Sequence, residues 1–222
     1  MNSKDLTTRM QTAFDELRHG RMIILVDDDN REQEGDLVIA AEKITAESIN
    51  FMTKHARGLL CLTLQEDALN RLNLPMMPTR NGGTNQAAFA ASIDAAHGIT
   101  TGISTHDRAH TILVAIDPMS NEEDISIPGH IFPLLAKQEG VLARQGHTEG
   151  SIDLLKLAGM QPAGAICEIL NDDGTMARLP QLEKFAKQHQ LQILSINDII
   201  EYRLITEKIM DDNVDPSLNF AI

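Results

Sequence analysis

Two short apolar runs, RMIILV and DLVIAAE, flank a stretch in which nearly every side chain is charged or amide-bearing, DDDNREQEG. Apolar runs of this length, bounded by polar turn residues, read as buried strands. The chain is therefore expected to fold as a sheet at one end of which a short loop gathers many carboxylates, from Asp27 to Asp36. Whatever covers the sheet must bury both strands without burying that loop.

The covering elements are legible as helices. Leu6, Met10, Ala13, Phe14 and Leu17 share one helical stripe, with Ser3 as a candidate cap and Gly20 as a stop. Thr45 can cap a second helix running to about Ala56 and ended by Gly58. The pattern predicts a third from Thr105 to Ile116, ended by Asp117-Pro118. SIDLLKLAG follows as a helix after a polar, flexible RQGHTEG segment, and LPQLEKFAKQHQ and NDIIEYRLITEK complete the set. Further strands are expected at LLCLTL, AAFAASID, AGAICEIL and LQILSI, with PGHIFPLLA extended and NEED an exposed acidic loop. NGGTN and GITTGIS read as glycine-punctuated loops and NDDGT as a turn. No linker or repeat divides the chain, so the expectation is one α+β domain, residues 1–208, with a mixed β-sheet layered with helices and an irregular tail at 209–222.

Composition narrows the function. A formal charge of −13 repels nucleic-acid phosphates, and one Tyr with no Trp leaves few stacking platforms, so nucleic acid is not expected as a partner. The first twenty residues lack the basic start and apolar block of a signal peptide, and no apolar stretch approaches a membrane span, which points to a cytoplasmic protein with no membrane contact. Cys61 and Cys167 sit inside apolar runs as small buried hydrophobes, too few for a disulfide framework or a zinc site. A small anion remains possible, bound by a few arginines, backbone amides or metal ions gathered at one place.

Two segments meet that description. Magnesium takes oxygen ligands and keeps several waters, so one or two fixed carboxylates of the 27–36 loop suffice for it; a solvated charged turn is the commoner occurrence. Arg144-Gln145-Gly146-His147-Thr148 precedes a helix, where an Arg fork, a hydroxyl and free amides suit a phosphate and a neutral imidazole suits a metal. The alternative there is a Thr helix cap among ordinary polar residues. Glu168 interrupts the apolar AICEIL, so it is paired, metal-bound, used as a base, or turned out from a strand end. His130, in PGHIFPL, reads on its own as a hydrogen-bonded core histidine. His106 and His110 lack the adjacent glutamate of a zincin helix and read as surface residues, and GITTGISTHDR lacks the spacing of a nucleotide loop.

Taken in order, DDDNREQEGDL, TTGIS with the following DR, PGHIFPL, RQGHTEGSIDL and CEILNDDGTMAR resemble the motifs of the 3,4-dihydroxy-2-butanone 4-phosphate synthases, over roughly residues 4–205. The resemblance implies conversion of D-ribulose 5-phosphate to L-3,4-dihydroxy-2-butanone 4-phosphate and formate, with Mg2+ or Mn2+, two ions per site, and no organic cofactor. It implies Glu32 and His147 as metal ligands and Arg31, Glu32, Asp36 and Glu168 on the sugar. Arg144, Gln145, Gly146, His147 and Thr148 would hold the phosphate end, and His130 and Glu168 would carry acid–base chemistry. It also implies a homodimer with active sites near the interface, which leaves His130 available to the neighbouring chain's site. Gly150 and Ile127 depart from the usual residues without touching a proposed ligand. Another metal-dependent phosphosugar lyase or isomerase on the same scaffold, or a silent anion-binding or nucleic-acid-binding module, are the alternatives; a pure binding module has no need of Glu32 paired with His147.

Overall fold

The computed structural model describes residues 3–27, 31–80 and 87–212. In chain order its strands are β1 (Ile23–Val26), β2 (Gly35–Ala40), β3 (Cys61–Leu64), β4 (Ala88–Phe89), β5 (Ile93–Ala95), β6 (Ile125–Leu135), β7 (Gly164–Glu168) and β8 (Gln192–Ser195). Its helices are α1 (Ser3–Arg18), α2 (Ala46–Phe51), α3 (Glu66–Arg71), α4 (Thr105–Ile116), α5 (His147–Leu157), α6 (Leu179–His189) and α7 (Ile196–Asp212).

Strands β1 and β2 pair antiparallel, Ile23 opposite Val38 and Val26 opposite Gly35. Side chains alternate between the faces of a strand, so Ile23, Leu25, Val38 and Ala40 enter one core while Ile24, Leu37 and Ile39 enter another. A sheet apolar on both faces must be covered on both. Helices α1, α5 and α7 cover the first face through Leu6, Met10, Leu154 and Ile199. Helices α2, α4 and α6 cover the second through Ile49, Ile112 and Leu182. The strand order is β4-β6-β3-β7-β2-β1-β8, with β5 also on β6. Pairs β1–β8 and β3–β6 are parallel and the rest antiparallel, which is the mixed sheet between helix layers that the hydrophobic pattern predicts.

Several boundaries differ from the sequence expectation, each for a local reason. The second helix changes to a π-turn at Met52–Ala56 and ends on Arg57 in the left-handed region (φ 69°) rather than on Gly58. Gly58 is required for another purpose: a Cβ there would lie 2.4 Å from the carbonyl oxygen of Glu168. RQGHTEG is not a flexible loop throughout, because α5 already begins at His147 and buries Thr148, Glu149 and Gly150. AAFAASID breaks into β4 and β5, and NEED forms a 3-10 turn whose Asn121 and Asp124 side chains cap it. Helix α3 was not anticipated. NGGTN and residues 213–222 lie outside the described residues, and α7 carries helix through Asp212, past the expected boundary at 208.

Leu62, fully buried in β3 at the centre of the sheet, tests this core. Leu62→Ala should lower unfolding stability by about 2–5 kcal/mol, whereas Leu204→Ala, at a position 55% exposed, should change it by less than about 0.5 kcal/mol. Urea denaturation of both variants provides the measurement.

Candidate active site

The acidic loop is organised by one buried carboxylate. Asp27 follows β1, and its Oδ1 accepts the Glu34 amide at 2.8 Å while its Oδ2 accepts the Glu32 amide at 3.0 Å and the Arg31 guanidinium at 2.9 Å. Arg31 also reaches Glu32 Oε2 at 2.9 Å. From outside the loop, Arg178, which caps α6, donates through Nη1 to the carbonyl oxygens of both Glu32 and Gln33 and lies 3.7 Å from Glu34. Leu182 of α6 packs so closely on Gly35 that a Cβ there would meet it at 2.6 Å. Residues 28–30 of the loop lie outside the described residues.

Helix α5 brings the second segment to the same place. His147, its first residue, is buried, and its Nε2 has no hydrogen-bond partner among the described residues. Burial lowers the affinity of this imidazole for a proton, against the opposing pull of Asp27; a neutral ring of this kind is a competent metal ligand. One ligand atom each from Asp27, Glu32 and His147 lies within 4.8 Å of the others. The donor set of two carboxylates and an imidazole, with an orphaned buried nitrogen among them, fits a divalent cation that keeps most of its coordination for water and substrate oxygens.

Beyond His147, Thr148 is buried in the first turn of α5; the helix cap is Gly146, not Thr148. Arg144 is held by Glu149 at 2.6 Å, with both side chains nearly enclosed. Gln145 is exposed. The first-turn amides of α5, which have no carbonyl partner within the helix, form with Arg144 beside them the anion-suited corner.

Opposite this corner lie two more carboxylates, set by strand register: Asp36 of β2 pairs directly with Glu168 of β7. Asp36 is buried, its Oδ1 has no partner among the described residues, and burial, followed by the charge of Glu168, pushes its carboxyl well above the usual carboxylate range. Glu168 closes β7 at a strand end, half-buried, and its Oε2 accepts the Leu59 amide at 2.8 Å. Burial also raises the Glu34 carboxyl, with Glu32 adding to it. These groups line one cleft of about 360 Å³ with Arg31, Glu32, Arg144, His147 and Thr148 on its polar side and Cys61, Phe89, Leu134 and Ile166 on its apolar side. Burial pushes both thiols, Cys61 and Cys167, up, the latter to about 12, which disfavours the thiolate.

His130 stands apart. It lies on β6, its ring 41% exposed, outside the cleft, and its Nδ1 is 2.7 Å from Asp94 Oδ2. His106 is exposed, as expected, and His110 bonds the carbonyl of His97 at 3.1 Å. Sequence reasoning missed Asp94, Arg178, Glu149 and the organising role of Asp27. The available signals were weak: Asp94 ends AAFAASID, and Arg178 ends the CEILNDDGTMAR motif without an evident task.

Comparison with known proteins identifies the family. The family profile described as 3,4-dihydroxy-2-butanone 4-phosphate synthase matches residues 11–202. A Neisseria meningitidis protein named 3,4-dihydroxy-2-butanone 4-phosphate synthase is 54% identical over 197 residues, covering 89% of this chain and 54% of that protein. A Vibrio cholerae protein of the same name is 46% identical over 200 residues, covering 90% and 92% respectively. The chain thus spans about half the length of several curated relatives and nearly all of others. Among solved structures, a 3,4-dihydroxy-2-butanone 4-phosphate synthase in complex with two magnesium ions superposes with TM-score 0.84 at 37% identity, covering 89% of this chain and 97% of its own. A profile match across most of the chain, with the same fold at these identities, shows that the chain belongs to the 3,4-dihydroxy-2-butanone 4-phosphate synthase family.

Proposed function

We propose that this chain converts D-ribulose 5-phosphate to L-3,4-dihydroxy-2-butanone 4-phosphate and formate, a step toward riboflavin. The observation that carries the reading is the convergence, in one cleft, of the Asp27–Glu32–His147 cluster with the paired carboxylates Asp36 and Glu168. The overall conversion balances in atoms and electrons without an oxidant or a second substrate, so the site needs no redox or organic cofactor beside a divalent cation. Glu32 and His147 would hold magnesium or manganese, as two ions if the chain follows its magnesium-bound relative. A bound divalent cation would supply stabilisation of the negative charge that forms when a proton leaves the carbon beside the ketone.

The chain's own residues do the rest. Arg144, Gln145, Gly146, His147 and Thr148 bind the phosphate end through a guanidinium fork, a hydroxyl and helix-start amides. Arg31, Glu32 and Asp36 orient the sugar hydroxyls, and Asp36, being biased toward its protonated form, can donate as well as accept. Glu168, fixed by the Leu59 amide, is placed to move protons at the cleft wall and to contact the sugar. His130 is the second acid–base group. Its position outside the cleft supports a homodimer in which each chain lends His130 to its neighbour's site. We take residues 1–208 as the catalytic domain. Among the described residues no helix is long and apolar enough to cross a membrane, and we place the protein in the cytoplasm with its sugar-phosphate substrate.

The deciding experiment is a formate assay with ribulose 5-phosphate. Activity should vanish with EDTA, return with magnesium or manganese, and fall by at least about 100-fold in Glu32→Gln. Full turnover of metal-stripped protein would exclude the reading.

Inactive His130→Ala and inactive Glu32→Gln subunits, co-refolded in equal amounts, should recover part of the activity, because one hybrid site then has both halves intact. A monomer by sedimentation with full activity would rule out the shared site.

Asp36→Asn should abolish turnover yet make the metal-free protein more stable above acid pH. A carboxyl raised in the folded state stabilises the fold only while protonated. That contribution is present below its unfolded value near 3.8 and is lost as pH rises through the folded value. Thermal melts of the two proteins should therefore diverge at pH 8 and converge near pH 3.5.

A further inference from the structure

The TTGIS and DR motif was left without a task by the cleft, which none of its residues line. In the fold it serves the pair Asp94–His130. Asp94, nearly fully buried in β5, accepts the backbone N–H of His130 on Oδ1 at 3.0 Å and faces ring Nδ1 with Oδ2 at 2.7 Å. A carboxylate held by the backbone amide on one oxygen has no freedom to turn the other away from the ring. Gly102 closes over this contact: its φ of +88° is one that L side chains rarely adopt, and a Cβ there would lie 2.2 Å from Asp94 Oδ2 and 2.6 Å from His130 Nδ1. Gly102 is itself pinned by Asp107, whose carboxylate accepts the Gly102 amide at 3.1 Å and the Thr100 amide and hydroxyl at 3.2 and 2.7 Å. On the other side Gly129 approaches β5 so closely that a Cβ would meet the Asp94 amide nitrogen at 2.2 Å. Two glycines and one aspartate thus seal a single carboxylate–imidazole contact.

We infer that Asp94 is the positioning residue of the acid–base histidine, locking His130 in the Nδ1–H tautomer so that Nε2 presents its lone pair to the reacting sugar. This rests on the proposed role of His130. The mechanism is geometric: a carboxylate only accepts hydrogen bonds, so the neutral ring must donate from Nδ1 and keep Nε2 free to take a proton and return it. In Asp94→Asn the amide oxygen must stay on the His130 backbone N–H, which turns the amide NH2 toward Nδ1. The ring then accepts there and carries its proton on Nε2, the wrong nitrogen for a base.

The test has two readouts. Nitrogen-15 NMR of histidine-labelled protein should show His130 as the Nδ1–H tautomer in the parent chain and as the Nε2–H tautomer in Asp94→Asn. In the same variant kcat should fall by about 10²–10⁴-fold, with KM within about threefold and the melting temperature nearly unchanged. An Nε2–H ring in the parent chain, or an Asp94→Asn variant within threefold of parental kcat while His130→Ala is inactive, would overturn the inference. A fully active His130→Ala would instead remove His130 from the chemistry, and the tautomer measurement would still decide whether Asp94 locks the ring. Should Asp94→Asn fail to fold, Gly102→Ala, which pushes a methyl into the same contact, is expected to lower kcat with the same sparing of KM.

Discussion

The antiparallel pairing of β2 with β7 is the constraint on which the site depends. It places Asp36 opposite Glu168 where β2 begins and β7 ends, at one end of the strands. A slip of either strand by one residue would turn that strand's carboxylate to the other face and break the pairing of Asp36 with Glu168. The register is protected by burial on both sides, since Leu37 and Cys167 sit in one core while Val38 and Ile166 sit in the other. The two cleft carboxylates are thus held in position by apolar residues one step away from them.

The accumulation of negative charge in a chain already at −13 needs counterweights, and the fold supplies them asymmetrically. Arg31 and Arg178 grip the acidic loop from within and from α6, while Arg144 is restrained by Glu149 behind the anion corner. Among the described residues Asp36 has no such counterweight, and its burial biases it toward the protonated form. A site of this kind stores unfavourable electrostatics at rest that a cation and a polar substrate would relieve on binding.

The layered α+β architecture was legible because hydrophobic alternation and helical spacing carry most of the information, as in RMIILV and in the Leu6–Leu17 stripe. The candidate residues were legible because carboxylates and imidazoles stand out against apolar neighbours. What could not be read were contacts made across the sequence. Asp94 meets His130 only because β5 folds onto β6, and Arg178 meets the acidic loop only because α6 packs its Leu182 on Gly35. The start of α5 differs from the expectation because His147, Thr148 and Glu149 look like loop residues, and their burial where α5 packs on the sheet is a tertiary fact. Gly58 was assigned a local role as a helix stop, whereas its small size serves a strand-end contact far along the chain.

Gly150 sits one turn into α5 with space for a side chain denied: a Cβ there would come within 2.8 Å of Leu25 on β1. The helix therefore rests on the sheet with almost nothing between, three residues from His147, and β1 runs directly into Asp27. The thickness of one helix–strand contact is the ruler that sets the gap between the imidazole on α5 and the carboxylates beyond β1. Any residue that widened this seat by a fraction of an ångström would move His147 away from Asp27 and Glu32, so an apolar contact that touches none of these three side chains sets the spacing between them.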